Sequence, residues 1–254
     1  MVYNDGTPTK KYDSAMKMHE MLFRLGDKIV CKERVRQGVG ILHSEHANAY
    51  YDAICNGDNK CAWSGKESNI FSAMDVYRKF KREFVSLIAV RASELNNLPF
   101  ELNALIIPAE KGLSEEEIKQ IEAFKTSGGK VFYYDLYLDS FKPYDFSGRW
   151  FEAYEIVDLY GKKIASVNDR KVDLKFLEDE KEYAVSVIDF AEEEREIENL
   201  EVDFFAKTSG KTCIFAGRDG DEILPVDHVG GGYGKARVVI PKLKNGGIIF
   251  INKG

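Results

Sequence analysis

Asn103-Ala-Leu-Ile-Ile-Pro108 begins the stretch that decides the fold of this chain, which continues through Gly112-Leu-Ser-Glu-Glu-Glu117 to Gly128-Gly-Lys-Val-Phe-Tyr-Tyr-Asp135. A short apolar run closed by proline is typical of a strand that is buried on both faces of a parallel sheet. Ser114 and Glu117 have the spacing of a capping box, which starts a helix. One of the two glycines can end that helix in the left-handed conformation. The stretch therefore predicts a β-α-β unit with a right-handed crossover.

A second unit of the same kind lies upstream. Val39 to Leu42 is another short apolar run, and it is followed by predicted helices over 45–55 and 69–84. Residues 85–90 are rich in β-branched side chains and are typical of a strand. Four strands with helices between them over 38–135 predict an α/β fold with a doubly wound, flavodoxin-like parallel sheet.

The pattern changes after Gly161. Apolar and polar residues then alternate in short runs separated by turns such as 208–211, 217–220 and 245–247. This period of two predicts an antiparallel β-sandwich with one face of each sheet in solvent. The alternating runs are 172–176, 183–188, 200–204, 213–215, 236–240 and 248–251.

The N-terminal segment is predicted to be one amphipathic helix. Its apolar residues fall at helical spacing, and Gly26 is expected to end it, which gives a helix over 10–25 after a turn at 5–9. A lone helix ahead of a complete α/β domain is typical of the end of a preceding domain. The sequence is therefore divided into a helix with a linker (1–34), a flavodoxin-like domain (35–160) and a β-sandwich (161–254). The apolar positions of the helix are Tyr12, Ala15, Met18, Leu22 and Leu25.

Composition indicates a folded protein without a nucleic-acid or membrane partner. The net charge of −6 argues against a general nucleic-acid surface, because neutralising phosphates requires clustered Lys and Arg. No apolar stretch reaches the length of a membrane span. The first five residues lack the basic and apolar regions of a signal peptide, which favours a cytoplasmic protein. Four cysteines in 254 residues do not establish an oxidising compartment, and a bond between Cys55 and Cys61 stays open as an alternative.

These motifs carry a resemblance. Asp5-Gly-Thr-Pro-Thr9 with the helix ending Leu25-Gly26 resembles the end of the catalytic (β/α)8 barrel in glycoside hydrolase family 42, the β-galactosidases. The strand, cap and glycine series of 39–44 and 105–129 resembles the second domain of those enzymes, a glutamine-amidotransferase-like fold known as the trimerisation domain. The C-terminal half, with Val238-Val-Ile-Pro241 and Gly247-Ile-Ile-Phe250, is similar to the small β-domain that finishes them.

The resemblance implies the non-catalytic C-terminal region of a glycoside hydrolase. Its expected role is oligomerisation, as a trimer in the parent enzyme, together with shaping of the active-site cleft. The barrel that would carry the paired catalytic carboxylates is expected to be absent, so no catalytic residue is assigned. A helix built to lie on a barrel would then either pack elsewhere or exchange its amide protons quickly.

Ligand-facing candidates come from two patterns. His43, Glu45, Glu110 and Asp135 come at or just past the carboxyl ends of predicted strands, where open α/β sheets bind ligands. Helix caps and solvated loops are the default role of such residues. Tyr137 and Trp150 belong to an aromatic cluster over 132–154 that could stack on sugar rings, although an interdomain core is the simpler interpretation.

Two alternative functions remain open. The first is a free-standing module that binds a carbohydrate or another small molecule at the strand-end crevice. The second is an amidotransferase-like hydrolase, but Cys31, Cys55, Cys61 and Cys213 all lack the Gly-x-Cys-x-Gly elbow that such enzymes need. Neither Cys-x2-Cys nor His-x3-His occurs around His43 and His46, so no metal and no cofactor is expected.

Overall fold

The computed structural model describes residues 12–57, 69–108, 111–145, 148–191, 195–228 and 235–254. The chain divides into two compact units. The two-sheet unit combines Met1–Val35 with Ile164–Gly254, and the α/β unit is Arg36–Lys163. Within the described ranges, no helix has the length and apolar character needed to cross a membrane.

The helices are, in chain order, α1 (Tyr12–Ile29), α2 (Glu45–Gly57), α3 (Asn69–Arg82), α4 (Glu115–Thr126) and α5 (Ala153–Tyr160), with a short 3-10 turn at Ala92–Glu94. The strands are β1 (Glu33–Arg34), β2 (Val39–Leu42), β3 (Ile88–Val90), β4 (Ala104–Ile107), β5 (Lys130–Asp135), β6 (Ser140–Pro143), β7 (Ala165–Val167), β8 (Val172–Glu178), β9 (Glu182–Asp189), β10 (Glu196–Phe204), β11 (Thr212–Gly217), β12 (Gly220–Pro225), β13 (Asp227–His228), β14 (Ala236–Lys244) and β15 (Gly246–Asn252).

The α/β unit contains one five-stranded sheet in the order β3-β2-β4-β5-β6. The pairs β2–β3, β2–β4 and β4–β5 are parallel, whereas β5–β6 is antiparallel. The sheet is therefore mixed, and the prediction of a wholly parallel sheet is corrected at its last strand. The reason is the short turn over 136–139, because a crossover to a parallel strand needs a dozen or more residues.

The β-α-β stretch over 103–135 has the local structure that its residues specify. Leu105, which lies in β4, is completely buried, as expected for a strand covered on both faces. The Ser114 hydroxyl accepts a hydrogen bond from Glu117 N at 3.2 Å, and a Glu117 carboxylate oxygen accepts one from Ser114 N at 2.8 Å. Both halves of the capping box are thus formed at the start of α4.

The two glycines that follow α4 have different roles. Gly128 has φ +105° and supplies the left-handed turn. At Gly129 a Cβ atom would lie 2.3 Å from the ring of Phe124, which is itself buried. The second glycine is therefore required for space rather than for its backbone conformation.

A buried glutamine joins three segments of the α/β unit. Gln37 is completely buried, and its amide nitrogen donates to the carbonyls of Phe84 (3.2 Å) and Lys162 (3.1 Å). Its side-chain oxygen accepts from Ser86 N at 2.8 Å. The Gln37 carbonyl also accepts from Lys162 N at 2.9 Å, so the two ends of this unit are hydrogen-bonded to each other.

The two-sheet unit is entirely antiparallel over its described strands. One sheet has the order β1-β8-β9-β15-β11-β12 and the other has the order β13-β14-β10-β7. Alternate residues along the strands are buried, for example Leu200, Val202 and Phe204 in β10. The prediction of an antiparallel, β-rich C-terminal half is confirmed. Strand β1 comes from the N-terminal segment and pairs with β8, so this unit is discontinuous in sequence.

Helix α1 packs on one face of the six-stranded sheet. Leu25 is completely buried against Ala184, Ala216, Ile248 and Phe250. The helix continues past Gly26, which was expected to end it, because Val30 N still donates to Gly26 O at 2.9 Å. Packing of Leu25 and Ile29 on the sheet outweighs the roughly 1 kcal/mol cost of a helical glycine.

The opposite face of α1 is exposed. Phe23 is 89% exposed, Met16 lies on the same side of the helix, and Val30, which directly follows the helix, is 84% exposed. Arg24 fixes the helix to the sheet through the Gly217 carbonyl at 2.9 Å and the Asp221 carboxylate at 3.2 Å. The helix thus has one apolar face on the sheet and a second apolar face in solvent.

Candidate functional site

A depression of the described α/β unit lies at the carboxyl edge of its sheet. We call it the strand-end crevice. It has a volume of about 320 Å³ and opens widely to solvent. Strands β2 and β3 end at it, and α2 and α4 begin at it. Its lining residues are His43, Glu45, His46, Arg91, Ala92, Ser93, Ser114, Glu116, Glu117 and Gln120.

The α2 side of the crevice is built by a buried serine. Ser44 is 2% exposed, and its hydroxyl accepts from Ala47 N at 2.9 Å, which caps the helix. His43 N donates to the Val90 carbonyl at 2.8 Å and so keeps the strand end in place. The side chains of His43 and Glu45 are exposed at the rim. Sequence analysis selected both, and the structure brings them to the same crevice.

Ion pairing partly neutralises the charge at this rim. An Arg91 guanidinium nitrogen lies 3.4 Å from a carboxylate oxygen of Glu45, and both side chains are exposed. A pair in this setting contributes little to stability. Arg91 N also donates to a carboxylate oxygen of Glu94 at 2.9 Å, so the loop after β3 is held by its own cap.

The α4 side of the crevice consists of groups that are already hydrogen-bonded. Glu117 closes the capping box with Ser114. Gln120 donates to Glu116 at 2.7 Å and accepts from Asn96 at 2.7 Å. Since these carboxylates already lie at the helix N-terminus, they satisfy the positive end of its dipole. The arrangement can offer hydrogen bonds to a small polar molecule.

The remaining predicted residues lie away from the crevice. Strand β4 separates β2 from β5, so Asp135 is two strands from His43. An Asp135 carboxylate oxygen accepts from Tyr137 N (2.9 Å) and Leu138 N (3.0 Å), which stabilises the turn into β6. Tyr137 itself is 73% exposed at this turn. Glu110 lies outside the described residues.

The ring of Trp150 is not open on both faces. The Lys142 ammonium lies 5.2 Å from its centroid, in cation–π geometry. In the same unit, Tyr133 and Tyr144 stack at 5.1 Å, and Lys125 lies over the Tyr144 ring at 5.1 Å. Each of these two lysines occupies one face of its ring, where a sugar could otherwise stack.

The carboxyl groups whose pKa values are shifted are stronger acids than usual. Among the described residues, every shifted carboxyl has a lowered pKa: Asp139, Glu155, Asp169, Asp179 and Asp189. At Asp189, for example, hydrogen bonds from Arg195 lower the pKa despite partial burial. The acid of a glycosidase needs the opposite shift, because it must stay protonated near neutral pH.

The described part of the chain contains no group of three His, Cys, Asp or Glu side chains placed to hold a metal. Cys31 and Cys213 are free thiols. Burial raises the pKa of Cys213 to about 11, which keeps this thiol protonated and weakly nucleophilic. The side chain of Cys55 and all of Cys61 lie outside the described residues.

Apart from His43 and Glu45, sequence analysis selected none of the residues that line the crevice as ligand-facing. Arg91, Ser93 and Gln120 come to it from the loop after β3 and from α4. Arg91 directly follows a predicted strand, which is the signal that selected Glu45, and it could have been found in the same way. Gln120 carries no such signal, because its position depends on where α4 begins.

Comparisons with known proteins show similarity of fold. No family model and no curated protein matches the sequence. Among solved structures, α-L-fucosidase isoenzyme 2 from Paenibacillus thiaminolyticus matches 100% of this chain and 54% of its own, at 11% identity and a TM-score of 0.62. A catalytic mutant of a GH42 β-galactosidase from G. stearothermophilus matches 99% of this chain and 45% of its own, at 10% identity and a TM-score of 0.63.

The chain therefore spans about half the length of the glycoside hydrolases that it matches. At this level of identity the likeness establishes a shared fold, and it extends over both units.

Proposed function

We propose that this chain is the non-catalytic C-terminal region of a glycoside hydrolase that resembles the family-42 β-galactosidases, and that it serves oligomerisation and the shaping of an active-site cleft. The observation that carries the proposal is the coverage: essentially the whole chain matches about half of two glycoside hydrolases. The parent protein would contain, in addition to this chain, a barrel that carries the catalytic carboxylates. That barrel would correspond to the part of each matched enzyme that this chain does not cover.

The architecture supports a flavodoxin-like identity for the α/β unit. Numbered within the unit, its strands have the order 2-1-3-4-5, which is the order of flavodoxin-like sheets. Of the described strands, the last one departs by running antiparallel. In the glutamine-amidotransferase-like interpretation the nucleophile would be missing, and Cys213, the one buried free cysteine in the described ranges, lies in the other unit.

The chemistry of the crevice supports catalytic silence. Glycoside hydrolysis needs two carboxyls across a sugar ring, one of them protonated. Here Glu117 caps a helix, Glu116 accepts from Gln120 and Glu45 pairs with Arg91. The Asp135 carboxylate accepts hydrogen bonds from backbone N–H groups of the turn that follows it. These roles are structural ones.

An activity assay tests the proposal. The purified full chain is expected to hydrolyse neither nitrophenyl glycosides nor glutamine. Matched variants, Glu45→Gln and Cys55→Ser, exclude a contaminating enzyme, because contaminant activity would be the same in all three preparations. Turnover that persists through purification and is lost in either variant would contradict the proposal.

A second candidate function is supported by the strand-end crevice itself. Its volume of about 320 Å³ is at the lower end of the range for small-molecule sites. A carbohydrate or another small polar ligand would meet His43, Arg91 and Gln120. Calorimetric titration with monosaccharides tests this function: saturable heat that disappears in Arg91→Ala favours the binding module over the hydrolase region.

A further inference from the structure

We infer that the outer edge of β3 is a binding site for the C-terminal end of an extended peptide, which joins the sheet as a short antiparallel strand. A second depression of the α/β unit, which we call the β3 groove, follows this edge and is lined by all three residues of the strand. It has a volume of about 460 Å³, which is within the range of small-ligand sites. The lining also includes Arg36, Glu94, Leu98 and Phe100. This site does not depend on the proposed function.

The main chain of Ala89 faces the groove. Strand β3 lies at one edge of the five-stranded sheet, so β2 is its only neighbour among the described strands. Along a parallel ladder, alternate residues direct both their N–H and their C=O to the same side. The Val90 carbonyl accepts from His43 N at 2.8 Å, so Val90 faces β2 and Ala89 faces outward. Ala89 therefore offers one N–H donor and one C=O acceptor to a partner strand.

The open part of this edge is short. The next outward-facing main chain is that of Arg91, and a turn already uses it. Arg91 N donates to a Glu94 carboxylate oxygen at 2.9 Å, and the Arg91 carbonyl accepts from Glu94 N at 3.0 Å. The groove therefore admits the end of a peptide rather than a long strand. In an antiparallel hydrogen-bonded pair, one peptide residue opposite Ala89 exchanges both N–H···O bonds with it.

Charge at the two ends of the groove determines which end of the peptide binds. Arg36 precedes β2, at the end of the sheet where β3 begins, and its guanidinium lies 4.8 Å from the Phe100 ring centroid. No carboxylate of the described residues forms an ion pair with this guanidinium. Glu94 follows β3 at the opposite end and is exposed. A peptide that runs antiparallel to β3 ends beside Arg36, which can hold its free carboxylate through two parallel hydrogen bonds.

The last side chain of the peptide is expected to be apolar. In this register the last peptide residue lies opposite Ile88, and opposite residues have their side chains on the same face of a sheet. Ile88 belongs to the apolar cluster against which Leu98 and Phe100 pack. The last side chain therefore meets these two residues. A lysine three positions before the end of the peptide lies near Glu94, where the opposite charges attract.

Fluorescence polarisation of the full chain with a labelled peptide tests the inference. The probe is Gly-Lys-Ser-Ala-Leu with fluorescein on its N-terminus and a free C-terminal carboxylate. Saturable binding is expected, and the same peptide with a C-terminal amide should bind about tenfold or more weakly, because Arg36 loses its carboxylate partner. In Arg36→Ala the acid and the amide should bind alike. Arg78→Ala, which removes an exposed arginine of α3 outside the groove, is the matched control and should bind the acid like wild type.

Methylation of the probe backbone tests strand addition without changing the protein. A methyl group on the alanine nitrogen removes the N–H that donates to the Ala89 carbonyl and should weaken binding by about tenfold or more. A methyl group on the serine nitrogen, which points away from β3, is the control and should change binding by less than about threefold. The absence of saturable binding at millimolar probe, equal binding of acid and amide to wild type, or equal effects of the two methyl groups each overturns the inference.

Discussion

The ammonium nitrogen of Lys32 lies 2.8 Å from a carboxylate oxygen of Glu182 and also bonds to Asp179, while its side chain is only 1% exposed. Lys32 follows α1, and both carboxylates belong to the β8–β9 hairpin region of the six-stranded sheet. The interaction therefore joins the two parts of the discontinuous two-sheet unit. A second ion pair of the same unit joins the Lys253 ammonium nitrogen to a Glu178 carboxylate oxygen at 2.6 Å.

Removing the Lys32 charge is expected to destabilise the two-sheet unit. Lys32→Met leaves two carboxylates without their shared cation, and because both remain partly hydrated the expected cost is about 1–3 kcal/mol. Urea denaturation followed by circular dichroism measures it. Lys119→Met, at an exposed position of α4, is the control and should change stability by less than about 0.5 kcal/mol.

Stability is also expected to fall in acid. Hydrogen bonding to Lys32 lowers the pKa of Asp179 in the folded chain, so this carboxylate stabilises folding above the ordinary Asp pKa of about 4. The contribution is lost as pH falls through the lower folded value. Denaturation in steps below about pH 4 should show the loss, and Lys32→Met should show a shallower dependence. An identical slope in the variant would contradict the assignment.

The stabilisation by Lys32, Asp179 and Glu182 is also expected to be lost at alkaline pH, where Lys32 releases its proton. Burial lowers the pKa of Lys32, but bonds to Asp179 and Glu182 outweigh burial and raise it above 10.5. The stabilisation is present below that ordinary value and is lost as pH rises through the folded one. Wild type should therefore lose more stability than Lys32→Met as pH is raised past this region.

The two glycines after α4 should differ in their response to alanine. Gly129→Ala places a methyl group against the buried Phe124 ring and should cost about 1–3 kcal/mol. At Gly128 nothing lies within 4 Å of an added Cβ, and only the positive φ opposes it, at about 1 kcal/mol. Thermal unfolding compares the variants, and a larger loss for Gly128→Ala would be the contrary result.

Gln37 should be one of the most sensitive polar positions of the α/β unit. Gln37→Leu leaves two part-buried carbonyls and the Ser86 N–H without this partner, at an expected cost of about 2–4 kcal/mol. Gln120→Leu, which removes exposed hydrogen bonds, is the matched control. Equal stability of the two variants would show that the three hydrogen bonds of Gln37 are dispensable.

Local signals in the sequence were sufficient for much of the fold. The capping box at Ser114 and the apolar run at 105–107 have meaning within a few residues, and both are formed as predicted. Alternation predicted the strands after residue 161 because a period of two needs no knowledge of the partner strand. The length of α1 could not be predicted in this way, because its continuation past Gly26 depends on a sheet that comes much later in the chain.

The candidate site was predictable to a smaller extent. His43 and Glu45 were found because polar residues directly after a strand lie at the carboxyl edge of the sheet. Asp135 also directly follows a strand, but its carboxylate accepts hydrogen bonds from two backbone N–H groups of the next turn. No sequence pattern specifies those two hydrogen bonds. Gln37 was missed because a polar residue beside a glycine is ordinary until its three partners are in place.

The insertion of one unit within another has a consequence for synthesis. Helix α1 and β1 leave the ribosome before the α/β unit, and the strands that bury Leu25 leave after it. Between them the α/β unit is complete in itself, with its two ends hydrogen-bonded through Gln37 and Lys162. At roughly 5–20 residues per second, the Leu25 face of the nascent helix is in water for on the order of ten seconds or more before its sheet has been synthesised. The Leu25 side chain therefore stays exposed on the nascent chain until β9, β11 and β15 have all been translated.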